Sequence, residues 1–164
     1  MRTMILYGVL LAGLLTASCK KNNSDVLAGP LSAKLDGKQM KISNVQVTPE
    51  LQGLNNHILL SITVNVDESN TKHFSLMIAY QDVTKGQTID LANDDGKAYL
   101  IYTDSNGDFY GAGDEWANGS GKVVITANDQ TKRKIEGTFS GVLVNSNNTS
   151  QTITVTDGYF STSY

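Results

Sequence analysis

Asp104, Asn106, Asp108 and Glu115 stand at positions 1, 3, 5 and 12 of a calcium-loop spacing. Calcium takes several hard oxygens from a compact loop, and this spacing supplies them. Phe109 occupies the sixth position, where such a loop needs glycine for its sharp turn, and no helical pattern flanks it. The Asn106-Gly107 pair is also the strongest short hairpin signal. The segment is therefore read as a turn, with a calcium site as the lesser alternative. Around it lie Tyr99, Tyr102, Phe109, Tyr110 and Trp116, interleaved with Asp and Asn. Exposed rings beside polar groups suit sugars, and Trp and Tyr anchor protein interfaces. Tyr102, Phe109, Tyr110 and Trp116 are the candidate ligand-binding residues. A binding role expects Tyr110 and Trp116 at the surface. Core packing is the favoured reading of the same rings, since aromatics dominate ordinary cores.

The other reactive side chains form no constellation. His57 and His73 each lack a patterned partner, and zinc needs three or four ligands. Gly119-Ser120-Gly121 lacks the flanking pattern of a nucleophile elbow. Asp114 and Glu115 could belong to a glycosidase pair, but nothing selects them. No catalytic residue, metal or cofactor is assigned, and the domain is read as not an enzyme.

The elements that position these residues are strands. Period-two alternation is clearest over residues 57–67: Ile58, Leu60, Ile62, Val64 and Val66 point one way, and polar side chains the other, with Leu59 the exception. Asp36-Gly37 is a two-residue hairpin signal between strands at 32–35 and 38–42. Residues 44–48 form a short strand stopped by Pro49. Phe74, Leu76, Ile78 and Tyr80 line the buried face of the next strand. Residues 97–103 are apolar on both faces, so that strand lies centrally. Further strands fall at 87–91, 108–113, 121–128, 134–145 and 151–163. Gly137 and Gly158 interrupt strand patterns, which marks bulges or close backbone approach, with Phe139 and Phe160 filling the space beside them. About nine antiparallel strands on short connections form a β-sandwich, with a lipocalin-like small barrel as the alternative closure.

The chain begins with the three parts of a secretory signal over residues 1–18: a basic Arg2, an apolar stretch and small residues before Cys19. The apolar stretch is shorter than the roughly 20 residues a bilayer span needs. The ending resembles a bacterial lipobox, although Thr16 stands where an aliphatic residue is usual. Cys19 is the single cysteine of 164 residues and is the lipid-attachment site. Residues 19–30 are a polar tether and 31–164 the β-domain. Of the 13 basic residues only Arg2 lies in the signal, which leaves 12 against 16 acidic ones, a net charge of −4. That balance argues against nucleic acid as a partner.

Four stretches carry a resemblance: Leu35-Asp36-Gly37, Gly121-Lys-Val-Val-Ile-Thr126, Lys134-Ile-Glu-Gly-Thr-Phe-Ser140 and Thr156-Asp-Gly-Tyr-Phe160. Together they resemble a group of small lipoproteins of Gram-negative bacteria that has no assigned function. The resemblance implies an acylated Cys19 and a place on the outer membrane, facing the periplasm or the surface, and no catalytic residues. The expected function is a non-catalytic binding or envelope module whose partners are the bilayer, through Cys19, and a glycan or envelope protein. The alternatives are a barrel carrying a small apolar ligand and a glycan-acting hydrolase.

Overall fold

The computed structural model describes residues 29–114, 116 and 118–164, with the side chain of Leu54 outside the description. The signal region, Cys19 and all of the tether but Gly29 and Pro30 therefore lie outside the described residues. So does Glu115.

Eleven strands follow in order: β1 (Leu31–Leu35), β2 (Lys38–Gln39), β3 (Asn44–Gln52), β4 (Ile58–Asn65), β5 (His73–Ile78), β6 (Thr88–Asp90), β7 (Ala98–Thr103), β8 (Phe109–Ala112), β9 (Ser120–Asp129), β10 (Lys134–Asn145) and β11 (Thr152–Ser163). All pairings are antiparallel, and all strands join one sheet ordered β2-β1-β11-β10-β8-β7-β5-β4-β3. The sheet forks at β10, whose residues 134–142 pair with β9 and whose Val144 and Asn145 pair with β8. β6 then adds to β9. The nine-strand path curls into a half-barrel. Strands distant in the sheet consequently meet, as when the Phe74 ring of β5 stacks on Phe139 of β10 at 5.6 Å.

The expected all-β antiparallel class is the one found, and each segment read as a strand contains one, so the count is eleven rather than about nine, with β2 and β6 only two and three residues long. The strand expected over 38–42 ends at Gln39, and the end of β3 also moves. Pro49 does not stop β3; the strand runs through it to Gln52. Thr48 faces Ser61 but Leu51 faces Leu59, so β3 carries one extra residue there, and Glu50 takes a left-handed φ of 64°. β3 is an edge strand, where proline forfeits no ladder hydrogen bond.

The concave face forms the main core. Leu60, Ile62 and Val64 of β4, Phe74, Leu76 and Ile78 of β5, and Leu100 of β7 are fully buried there with Leu31, Ile125, Ile135, Leu143 and Phe160. The alternating residues of 57–67 supply this face, as the period-two pattern requires. The exception in that pattern has a cause: Leu59 joins Ala79 and Tyr99 in a second cluster on the outer face, flanked by Leu51, Met77 and Ile101. β7, between β5 and β8, is the strand with apolar residues on both faces.

The β10–β11 pair sets the curvature. Gly137 faces Phe160 and Phe139 faces Gly158. A Cβ on Gly137 would lie 2.6 Å from the Phe160 ring, and one on Gly158 2.5 Å from the Phe139 ring, each also meeting a strand carbonyl. The two glycines thus leave room for the two rings in a reciprocal arrangement. The register shifts in this pair between Phe139 and Gly141, where Val155 and Gly158 stand one residue too far apart and Asp157 takes φ 52°. That bulge moves the buried side of β11 from Val155 to Gly158, Phe160 and Thr162.

Asp94 is buried in the turn before β7. Its two carboxylate oxygens accept the backbone N–H of Gly96 at 3.1 Å and of Ala98 at 2.8 Å. Burial pushes its carboxyl above the ordinary value of 3.8, outweighing those two donors.

Two predictions follow from this packing. Overpacking a filled core costs about 1–3 kcal/mol, so Gly137→Ala lowers unfolding free energy in urea by that amount; a variant as stable as the parent refutes the close packing. Because its native value is raised, Asp94 contributes stability that is fully present below 3.8 and declines as pH climbs through the raised value. Carboxyl NMR titration places Asp94 above its ordinary value, and a midpoint at or below 3.8 contradicts its burial.

Candidate functional site

The aromatic candidates do not share a surface. Tyr102 and Tyr110 face each other across β7 and β8, with rings 6.1 Å apart. They are 7% and 9% exposed and belong to the main core. Tyr110 is thus not the surface residue that a binding role expected, because its position in β8 points it inward. Burial raises the Tyr102 hydroxyl above its usual value, and Asp104 and Asp67 add to the shift. Its ring borders a hollow of about 490 Å³ beside Lys38, Met40, Val66 and Ile153. Phe109 projects outward from the start of β8 and is 50% exposed. Trp116 is half-buried. Its indole lies over Gly111, where any Cβ would collide with it. Gly111 is flanked in register by Ile101, itself packed against the outer cluster, and by Val144. The indole Nε1 is buried and has no hydrogen-bond partner among the described residues.

The calcium spacing folds as a turn. Asp104 Oδ1 accepts from the backbone N–H of Asn106 at 2.8 Å and of Asp108 at 3.0 Å, and Gly107 takes φ 85°. The carboxylate is therefore occupied in closing its own loop. Among the described residues no group of three or more His, Cys, Asp and Glu side chains is placed to hold a metal ion. The fourth position, Glu115, lies outside them.

A different place gathers polar chemistry, at the end of the half-barrel where β5 leaves the sheet. A hollow of about 490 Å³ is lined by Glu50, Tyr80, Gln81, Asp82, Gln130, Arg133 and Tyr164. Three elements build it. The first is the β3 bulge, which turns Glu50 toward it. The second is the loop after β5, stapled to β9 by Asn128, whose Nδ2 donates to the carbonyls of Tyr80 at 2.8 Å and Val83 at 2.7 Å. The third is the β9–β10 hairpin, where Asp129 Oδ1 accepts the Lys132 N–H at 2.9 Å and Arg133 takes φ 51°. The Tyr164 N–H then donates to the Arg133 carbonyl at 3.0 Å and ties the end of β11 to the hairpin.

Side-chain geometry inside the hollow is specific. The Arg133 guanidinium sits 5.5 Å above the Tyr164 ring, which tilts against Tyr80 at 4.2 Å. Such a cation–π contact contributes about 0.5–1 kcal/mol at an exposed site and fixes where the guanidinium stands. Arg133 forms no ion pair among the described residues. The Tyr164 hydroxyl is buried without a hydrogen-bond partner among them, and burial pushes its ionisation upward. Asp82 pairs with His57, Nδ1 to Oδ2 at 2.7 Å, while His57 Nε2 is buried and unpartnered among the described residues.

Sequence reasoning did not find this hollow, because its lining comes from three loops remote in the chain. One signal was countable: Arg133 is the only arginine after Arg2.

What fold and hollow define is an antiparallel half-barrel domain with a polar recess at one end. A family model described as a domain of unknown function, DUF6252, matches residues 49–162, and the chain belongs to that family. The matched region includes every lining residue of the recess except Tyr164. No curated protein and no solved structure matches the chain.

The indole–glycine contact makes a direct prediction. Trp116 is the sole tryptophan, so its fluorescence reports one site. Gly111→Ala displaces the indole toward water and shifts its emission to the red while far-ultraviolet dichroism keeps its β-signal. Unchanged emission contradicts the stacking of the ring on Gly111.

Proposed function

We propose that this chain is an outer-membrane lipoprotein, anchored through acylated Cys19, whose β-domain is a non-catalytic binding module. The anchor rests on the sequence: one cysteine, placed directly after an apolar stretch and small residues. Each buried methylene of an acyl chain contributes about 0.8 kcal/mol, so several chains hold a protein of this size essentially permanently. The single observation that carries the binding reading is the recess that holds Arg133. It is open to solvent and polar, and it presents the exposed Arg133 guanidinium, which pairs with no carboxylate among the described residues. A guanidinium held against a ring and left without a carboxylate is a group that a bound anionic ligand can engage. Phe109, the exposed member of the aromatic set, lies on the outer face of β8 and offers an apolar contact to an envelope partner.

The anchor and the module are tested separately. In cell fractionation the parent chain stays with membranes, and Cys19→Ser moves it to the soluble fraction; an unacylated parent that retains residues 1–18 overturns the anchor. The detergent-purified protein applied to a glycan array retains a subset of polar glycans. Retention of none removes glycans from the reading.

A further inference from the structure

Two charged residues around the recess share an unusual backbone. Glu50 and Arg133 both sit at left-handed φ, 64° and 51°. A residue with a Cβ pays roughly 1–2 kcal/mol there, and Gly or Asn are the ordinary occupants. The hairpin and the bulge would form more easily with either. Instead each position carries a charged side chain, and both side chains border the same recess. They do not neutralise one another, since no ion pair joins them. Backbone strain at a recess is an observation from which function can be argued.

The lining dictates the chemistry of an occupant. Arg133 presents a planar fork of N–H donors, oriented by Tyr164, and such a fork matches a carboxylate in a bidentate geometry. Glu50, and the Asp82 oxygen that His57 does not engage, are acceptors and call for donors. A phosphate would bring a second negative charge toward these two carboxylates. An apolar ligand would take the guanidinium and the Glu50 carboxylate out of water without compensation.

We propose that the recess binds a small carboxylate-bearing ligand, with its carboxylate on Arg133 and its hydroxyl or ammonium donors on Glu50 and Asp82. An acidic sugar and a free amino acid or short peptide share this chemistry. The proposal rests on the binding-module reading and adds the ligand class and the residue that selects it.

The test is protein-detected NMR titration of the detergent-purified chain with D-glucuronate, dialanine, D-glucose and inorganic phosphate. Glucuronate or dialanine shifts the Arg133 and Gln130 signals saturably, and the better of the two shows which source is recognised. Glucose and phosphate bind at least about tenfold more weakly, a difference of about 1.4 kcal/mol. Arg133→Gly removes the fork while supplying the residue that the backbone prefers. It lowers carboxylate affinity at least about tenfold and leaves the melting temperature unchanged or higher. Arg133→Lys keeps the charge but loses bidentate binding, and falls between. Binding of glucuronate and dialanine by Arg133→Gly as tight as by the parent overturns the proposal, as does phosphate binding more tightly than either. If neither carboxylate binds while the array retains a neutral glycan, the ligand class fails and the binding module stands. If neither carboxylate nor any glycan binds, both fail.

Discussion

The crossing of Gly137 and Gly158 with Phe139 and Phe160 is the contact on which the rest of the architecture depends. Two aromatic rings can lie on the concave side of neighbouring long strands only if the facing positions carry no side chain. With the glycines in place, Phe139 reaches the Phe74 ring, and that contact joins β10 to β5 across the interior. Sheets twist by preference, but strong curvature needs a device such as a bulge or a glycine. Here both occur within a few residues of each other, in the pair of the two longest strands among the described residues, one of which carries the fork toward β9 and β8.

The same curvature explains the two faces. The concave side is packed with side chains from nearly every strand. The outer side is partly apolar, from Leu51 and Leu59 through Tyr99 to the Trp116 indole, and partly a ladder of hydroxyls in which Thr63 bonds Ser75 at 2.8 Å. The sheet is therefore closed to solvent on one side and selectively covered on the other. Where curling strands leave the sheet, loops must satisfy their own backbone groups. Asn128, Asp94, Asp104 and Asp36 do so; Asp36 accepts the Thr154 N–H at 2.8 Å. The recess beside Arg133 is the space those loops leave at one end.

Much of the fold was legible in the chain. Period-two alternation located β4 and its buried face, and the two-faced apolar run identified β7 as interior. The glycines at 137 and 158 were readable as close approaches because they broke otherwise regular strands. Asp36-Gly37 turned where expected, with φ of 47° and 76°. The extension of β3 beyond Pro49 was not legible, since edge position is a property of the assembled sheet rather than of the local sequence. For the aromatic set, alternation alone decides which rings face inward: Tyr102 and Tyr110 occupy the buried parity of β7 and β8, and Phe109 the opposite one. Nothing local reveals the recess, whose residues run from Glu50 to Tyr164 and meet only through the curl.

An unclosed sheet ends in two strands whose outer backbone amides and carbonyls have no ladder partner. Here the main path ends in β2 and β3, and the fork adds a third border at β6. Left long and flat, such borders recruit further strands from other molecules. β2 is two residues long and exposed, with Lys38 on it and Lys41 beyond. β3 is broken by Pro49 and the left-handed Glu50. β6 is three residues long, so none of the three borders offers a continuous template for edge-to-edge pairing with a neighbouring copy.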